Sequence, residues 1–256
     1  MVLDASPARF YLTGRLCIEG SAGVVDQPAL PGRHGRLALV RLVSARLRPV
    51  PVDELAASLW GDDLPPSWQT SLRAVLSKLR GCLAAAGADL GLDADAGCYQ
   101  ARLGDAWVDL EAAANAVDRA EGARRSGDLA AAWSHAAVAS AITRRPLLPG
   151  EDLPWVAALQ GELRSWRVRA LDVLADVHLA GGDAAQARAV AEELVALEPY
   201  REAGHRHLMR AHVAAGDRAE AVRVHDRLRR QLAEELGVGP APETAALLTE
   251  VLRAGG

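Results

Sequence analysis

The stretch Ser67-Trp-Gln-Thr-Ser-Leu-Arg-Ala-Val-Leu-Ser-Lys-Leu-Arg-Gly-Cys-Leu-Ala-Ala-Ala86 decides how the first part of the chain is read. Its apolar residues Trp68, Leu72, Val75, Leu79, Cys82 and Leu83 recur at steps that are mostly three and four, which marks one buried helix face. At about 100° per residue, the opposite face carries Thr70, Arg73, Ala74, Ser77 and Gly81, with Lys78 and Arg80 on its flanks. No acid stands between Asp63 and Asp89. Ser67 is placed to cap this helix, which is expected to run to about Ala86, and the preceding Gly61-Asp-Asp-Leu-Pro-Pro66 is built of turn formers.

Working outward, Asp53–Trp60 reads as a short helix with Asp53 as its cap and Leu55, Leu59 and Trp60 on its apolar side. Before it, Leu37, Val40, Val43, Ser44 and Leu47 predict an amphipathic helix over Arg33–Leu47, stopped by Pro49-Val50-Pro51. Short strands are expected at Arg9–Leu12, Arg15–Glu19 and Val24–Leu30, separated by Gly14, Gly20, Gly23 and Pro28. Downstream, Asp89–Leu92 and Cys98–Leu103 form a hairpin turned by Asp93–Gly97. Residues 1–107 are thus a small sheet, three helices and a closing hairpin, the parts of a winged helix-turn-helix. In that arrangement the second helix of the motif enters the major groove of DNA, and the hairpin lies beside the backbone.

From Val108 the pattern turns helical and Ala-rich, and a repeat governs it. His178-Leu-Ala-Gly-Gly-Asp183 and His212-Val-Ala-Ala-Gly-Asp217 lie 34 residues apart. The register continues through Leu174 and Leu208, Ala187 and Ala221, Val190 and Val224, and Leu194 and Leu228. A helix-turn-helix unit of that period, with small residues at helix contacts, is the mark of tetratricopeptide-like stacking. Ser126-Gly127-Asp128, followed by Ala132, is an earlier copy of the turn whose unit is expanded by Arg144–Pro154. Helices are expected at Arg218–Leu236 and Glu243–Arg253. The fold class is therefore mainly α: a winged helix over 1–107, then an all-α repeat domain over 108–256.

Charge narrows the function. The 256 residues carry a formal net charge of -4, which disfavours an indiscriminate polyanion binder. Residues 1–108 hold 11 basic and 11 acidic side chains, whereas 109–256 hold 18 and 22. Within the first part the signs are sorted: Arg33, Arg36, Arg41, Arg46 and Arg48 lie in a second acid-free block between Asp26 and Asp53. Cys17, Cys82 and Cys98 form no C-x-x-C pair, which fits a reducing compartment and no disulfide framework or zinc site. With no signal-like leader and no apolar run near the roughly 20 residues a membrane helix needs, a cytoplasmic protein without membrane partners is expected.

Eight segments, in order along nearly the whole chain, resemble the Streptomyces antibiotic regulatory protein family, in which a winged helix is joined to a bacterial transcriptional activation domain. They are Leu30-Pro-Gly-Arg-His-Gly-Arg-Leu37, Val52-Asp-Glu-Leu-Ala-Ala-Ser-Leu-Trp-Gly61, Ser71–Arg80, Gly97-Cys-Tyr-Gln100, Val108-Asp-Leu-Glu111, Leu148-Pro-Gly-Glu-Asp-Leu-Pro-Trp155, Glu198-Pro-Tyr-Arg-Glu202 and Glu234–Thr244. The resemblance implies an activator that binds direct repeats in double-stranded promoter DNA, often as two protomers side by side. It further implies recruitment of RNA polymerase through its sigma factor and neighbouring subunits. By position, residues 64–86 would hold the recognition helix, with Thr70, Arg73, Ser77 and Lys78 facing the groove. Lys78, Arg80 and the first-helix residues Arg33 and Arg36 would neutralise phosphates. The family usually has a second basic residue after the Leu-Arg pair, where this chain has Gly81.

Other chemistry has thinner support. No P-loop, nucleophile elbow, His-Glu-x-x-His or Gly-x-Gly-x-x-Gly motif is present, so neither an enzyme nor a cofactor is expected. His205, His207, His212 and His225 cluster in sequence, but His205 and His207 point about 200° apart on a helix, which argues against a metal site. Trp133, Trp155 and Trp166 flank the expanded unit and are read as core, with a small-molecule pocket as the other reading. Two rival functions follow: a protein-interaction adaptor with weak intrinsic DNA binding, suggested by Gly81 and Ala74, and a ligand-responsive regulator using the Trp-rich segment.

Overall fold

The computed structural model describes residues 7–88, 92–95 and 97–253. In the first part, β1 (Arg9–Tyr11), β2 (Cys17–Gly20) and β3 (Gly23–Asp26) form an antiparallel meander, and a 3-10 turn at Gln27–Ala29 leads into α1 (Gly32–Ser44). There follow β4 (Val50–Pro51), α2 (Val52–Trp60), α3 (Trp68–Ala85), β5 (Leu92–Asp95), β6 (Cys98–Ala101) and β7 (Trp107–Val108). Strand β7 adds to β1 in parallel, giving the order β3-β2-β1-β7, while β4 joins the β5–β6 hairpin in a three-stranded wing ordered β4-β6-β5. The short pairings of β4 and β7 were not expected from sequence, because two residues carry no periodicity.

The expected helix of Arg33–Leu47 ends at Ser44, so Leu47 is 90% exposed and does not join the apolar stripe. Asp53 lies inside the first turn of α2, where Pro51 holds the cap position; its charge still suits the helix N-terminus. The wing hairpin is tighter than expected, since Asp93–Asp95 extend β5; residues 89–91 and 96 of that segment lie outside the described residues. Phe10, Leu12, Ile18, Leu37, Leu39, Leu42, Leu55, Leu59, Leu72, Leu76, Leu79 and Leu83 are fully buried and make up the largest core side chains.

The helical part comprises α4 (Asp109–Ser126), α5 (Leu129–Thr143), α6 (Pro154–Ala180), α7 (Ala184–Leu197), α8 (Glu202–Ala214), α9 (Arg218–Leu236) and α10 (Pro242–Arg253). The predicted repeat is visible atom by atom. Gly127, Gly182 and Gly216 all take positive φ, near 80°, where glycine avoids the steric penalty of a side chain. The next residue, Asp128, Asp183 or Asp217, donates its backbone N–H to the carbonyl of Ala123, His178 or His212 at 2.8–3.0 Å. Each carboxylate then caps the following helix, accepting from the N–H of Ala131, Gln186 or Glu220 at 2.9–3.1 Å.

By packing, the chain divides into two compact units. One holds the described residues up to Ala113 together with Ile142–Leu163; the other holds Ala114–Ala141 and the described residues from Arg164 onward. In the second unit Ala120, Ala132, Ala136, Val168, Leu171, Val173, Leu174 and Leu194 form one buried cluster, and Ala191, Leu208, Met209, Ala221, Val224, Leu247 and Val251 another. Ion pairs and a histidine hydrogen bond tie α4, α6 and α8 together: Arg169 holds Glu121 and Asp118, Arg124 holds Asp176, and His207 Nε2 is hydrogen-bonded to Asp172 Oδ1 at 3.0 Å. Burial alone would raise the Asp172 carboxyl; the His207 hydrogen bond and the His207, Arg201 and Arg124 charges hold it below its ordinary value.

Candidate nucleic-acid interface

Helix α3 is held from behind and from its C-terminal end. Leu72, Leu76, Leu79 and Leu83 are the residues it buries completely, whereas Trp68, Val75 and Cys82 are only half-buried. The buried stripe is therefore turned by about 40° from the expected one, toward Leu76. Thr70, Ala74, Ser77 and Gly81, all small, now lie along the middle of the open face. Lys78 lies nearer that middle than expected, and Arg73 and Arg80 stand along the opposite edge.

At the C-terminus of α3 the unpaired carbonyls meet the β2–β3 turn. Ala22 donates its N–H to Ala86 O at 2.9 Å, and Ser21 Oγ donates to Gly87 O at 3.2 Å. Gly20 makes this approach possible: a Cβ there would stand 2.2 Å from Ala86 O. The turn Gly20-Ser21-Ala22-Gly23 is thus the clasp that fixes the C-terminal end of α3.

The candidate residues are not placed alike. Thr70, Arg73, Ser77, Lys78 and Arg80 are all exposed on α3, and among the described residues Arg73 and Lys78 have no ion-pair partner within 4 Å. On α1 the picture reverses. Arg33 makes a forked bond to Glu151, with Nη2 2.6 Å from Oε2 and Nε 3.0 Å from both oxygens, and its Nη1 donates to Leu59 O at 3.2 Å. Arg41 and Arg48 share Glu54, whose carboxyl lies below its ordinary value chiefly through the Arg48 hydrogen bond. Arg46 pairs with Glu111 at 2.5 Å and donates to Ala106 O. Arg36 has no ion pair among the described residues and lines a small pocket with Gly14, Leu16, Gln27, Leu148, Pro149 and Glu151.

Sequence reasoning missed one residue in this unit. Asp109 is 1% exposed, and its Oδ2 accepts from the backbone N–H groups of Leu12 and Thr13, both at 2.9 Å, and from Thr13 Oγ at 2.8 Å. Burial raises its pKa, and those three donors oppose the rise. The carboxylate fastens the end of β1 to the start of α4. Nothing local in Val108-Asp-Leu-Glu111 marks this contact, because Asp109 reaches back 97 residues to Leu12.

The remaining candidates separate. Trp155 donates its indole N–H to Ser58 O at 3.0 Å, and Arg41 lies over its ring at 5.5 Å to the centroid. A groove of about 390 Å³ runs beside it, lined by Arg41, Leu47, Arg48, Leu159 and Glu162 among others. Trp166 packs on Ala116, Val117, Ala139 and Ala170. Trp133 is 48% exposed, which corrects its reading as core. The four clustered histidines are buried; His205 meets Pro199 O at 2.9 Å, and burial lowers its pKa. Among the described residues no group of three or more His, Cys, Asp or Glu is placed to hold a metal ion, and no helix is long and apolar enough to cross a membrane.

Comparison with known proteins adds an independent line. A family model described as the bacterial transcriptional activator domain matches residues 108–252. The regulatory protein AfsR of Streptomyces griseus is 33% identical over 229 residues, covering 86% of this chain and 22% of AfsR. The transcriptional regulatory protein MoaR1 of Mycobacterium tuberculosis is 30% identical over 234 residues, covering 85% of this chain and 71% of MoaR1. The structure of Mycobacterium tuberculosis EmbR in complex with a low-affinity phosphopeptide matches with a TM-score of 0.84 at 28% identity, over 98% of this chain and 65% of that one. The chain thus spans less than a quarter of AfsR and just under two thirds of the solved EmbR chain.

Proposed function

The chain belongs to the bacterial transcriptional activator domain family, among regulators of the Streptomyces antibiotic regulatory protein type, and from that premise we propose that it is a DNA-binding transcriptional activator. Residues 1–107 read promoter DNA in this proposal, and residues 108–256 serve activation, including contact with RNA polymerase through its sigma factor and neighbouring subunits. The observation that carries the reading is the open face of α3. A line of small side chains lets the helix backbone come close to base edges, and cations stand on both sides of that line.

Roles follow from side-chain chemistry. Arg73 suits a forked contact to guanine O6 and N7, while Thr70 and Ser77 suit phosphate or base-edge hydrogen bonds. Lys78 and Arg80 suit phosphates. On α1, Arg36 is open to a phosphate, whereas the guanidinium of Arg33 is occupied by Glu151 and acts by holding α1 in place. The β5–β6 hairpin would lie along the backbone beside the helix. Two protomers on adjacent direct repeats would double the contact area.

A mobility-shift titration on the chain's own upstream region, at two salt concentrations, tests the proposal. Saturable, salt-sensitive binding that random DNA fails to compete away is expected. No shift at micromolar protein would overturn it in favour of the adaptor role.

A further inference from the structure

The repeat supplies its own reference for judging which charges the fold requires. Aligned on the shared Gly-Asp turn, α5, α7 and α9 are three copies of one helix. Ala132, Ala187 and Ala221 are equivalent and each is fully buried. In the same register Ser134 and Ala189 correspond to Arg223, Val138 and Glu193 to Arg227, Ser140 and Val195 to Arg229, and Ala141 and Ala196 to Arg230. Two copies fold without a positive charge at any of the four positions, and the third carries arginine at all of them.

These arginines are exposed, and three of them share one face. Arg223, Arg227 and Arg230 follow the i, i+4, i+7 spacing opposite the buried Ala221, Val224, Leu228 and Leu232, so they form a stripe about 10 Å long. Three acids stand near the stripe, one fewer than the four arginines once the flanking Arg229 is counted. Glu220 serves both Arg223, at 2.5 Å, and Arg227, at 3.8 Å; Asp226 flanks one edge, with its carbonyl accepting from Arg230 Nε at 3.4 Å, and Glu234 follows at the far end. Arg229, on the flank, has no ion pair among the described residues.

We infer that the outer face of α9 is a second, sequence-independent binding surface for the phosphate backbone of duplex DNA, separate in chemistry from the base-reading face of α3. The inference rests on the DNA-binding reading above. Its partner chemistry follows from charge complementarity: guanidinium forks at regular spacing suit a regular row of phosphates, which on one strand recur about every 3.4 Å of helix axis. A solvated helix face needs no such surplus, as α5 shows by carrying no Asp, Glu, Lys or Arg at all.

The test uses the full chain and the triple substitution Arg223→Ala, Arg227→Ala and Arg230→Ala, with the helix content and melting temperature compared first. On the specific and on a random duplex alike, affinity should fall by about ten- to a hundredfold, and the slope of log K against log salt should shrink by about 2 to 3. The ratio of specific to random binding should stay unchanged. An unaltered slope in a folded triple variant would overturn the inference, and the same holds if that variant loses only an acidic protein partner. If the unsubstituted chain binds no DNA, the underlying reading fails instead, a result distinguishable at the first titration. Should Ala destabilise the helix, Arg223→Gln, Arg227→Gln and Arg230→Gln remove the same charge and must give the same slope change.

Discussion

Helix α1 and its extension hold Arg33, Arg36, Arg41, Arg46 and Arg48 with no acid between them, and α3 holds Arg73, Lys78 and Arg80 in the same way. In the folded chain Arg33, Arg41, Arg46 and Arg48 each meet a glutamate brought from elsewhere: Glu151, Glu54, Glu111 and Glu54 again. On α3, Arg73 and Lys78 meet none among the described residues. A basic run therefore has two opposite meanings. It can be one half of an ion-pair frame that orients helices, or an open surface for an anion, and only the placement of distant carboxylates separates the two.

The largest expected effect sharpens the α3 side of this contrast. Arg73→Ala should relax base preference at one position by about 1–3 kcal/mol of discrimination, with a smaller effect on random duplex. Binding titrations on a panel of single-base operator variants measure this; a uniform loss across the panel would remove Arg73 from the groove and make it a phosphate contact.

On α1 the expected outcome is the reverse. Arg33→Ala should leave the salt slope of DNA binding unchanged while costing about 1–2 kcal/mol of stability in denaturant unfolding, because the largely buried Glu151 loses its forked partner. A reduced salt slope at full stability would place Arg33 among the phosphate contacts and break the comparison.

The smallest effect concerns Gly81, exposed on α3, where an added Cβ would meet nothing within 4 Å. Gly81→Ala should stabilise α3 by about 0.5–1 kcal/mol. If the helix backbone approaches DNA closely at this point, the same substitution should weaken DNA binding even as the melting temperature rises. Stabilisation with unchanged binding would make Gly81 a plain weak spot of the helix.

Legibility in the sequence differed between the two parts. The repeat was readable to the residue, since Gly182-Asp183 and Gly216-Asp217 make a turn whose hydrogen bonds all lie within five residues. The helices of the winged part were readable to within a few positions from their periodicity. The orientation of α3 was not, because Val75 and Leu76 are both apolar and only the packing around them decides which is buried. Asp109 was illegible as a fastening residue, for its partners Leu12 and Thr13 lie nearly a hundred residues away.

What the sequence determined by itself was local: helix faces, caps, turns and the 34-residue register, all set by interactions between neighbours along the chain. It also set the arginine stripe of α9, because the repeat carries its own comparison. The tertiary structure alone decided which charges are satisfied. Arg33 and Glu151 are 118 positions apart, and no periodicity links residues at that distance. Whether a guanidinium faces water or a carboxylate depends on how helices pack. That is a property of the folded chain, and it separates the frame of this protein from its candidate DNA-binding surface.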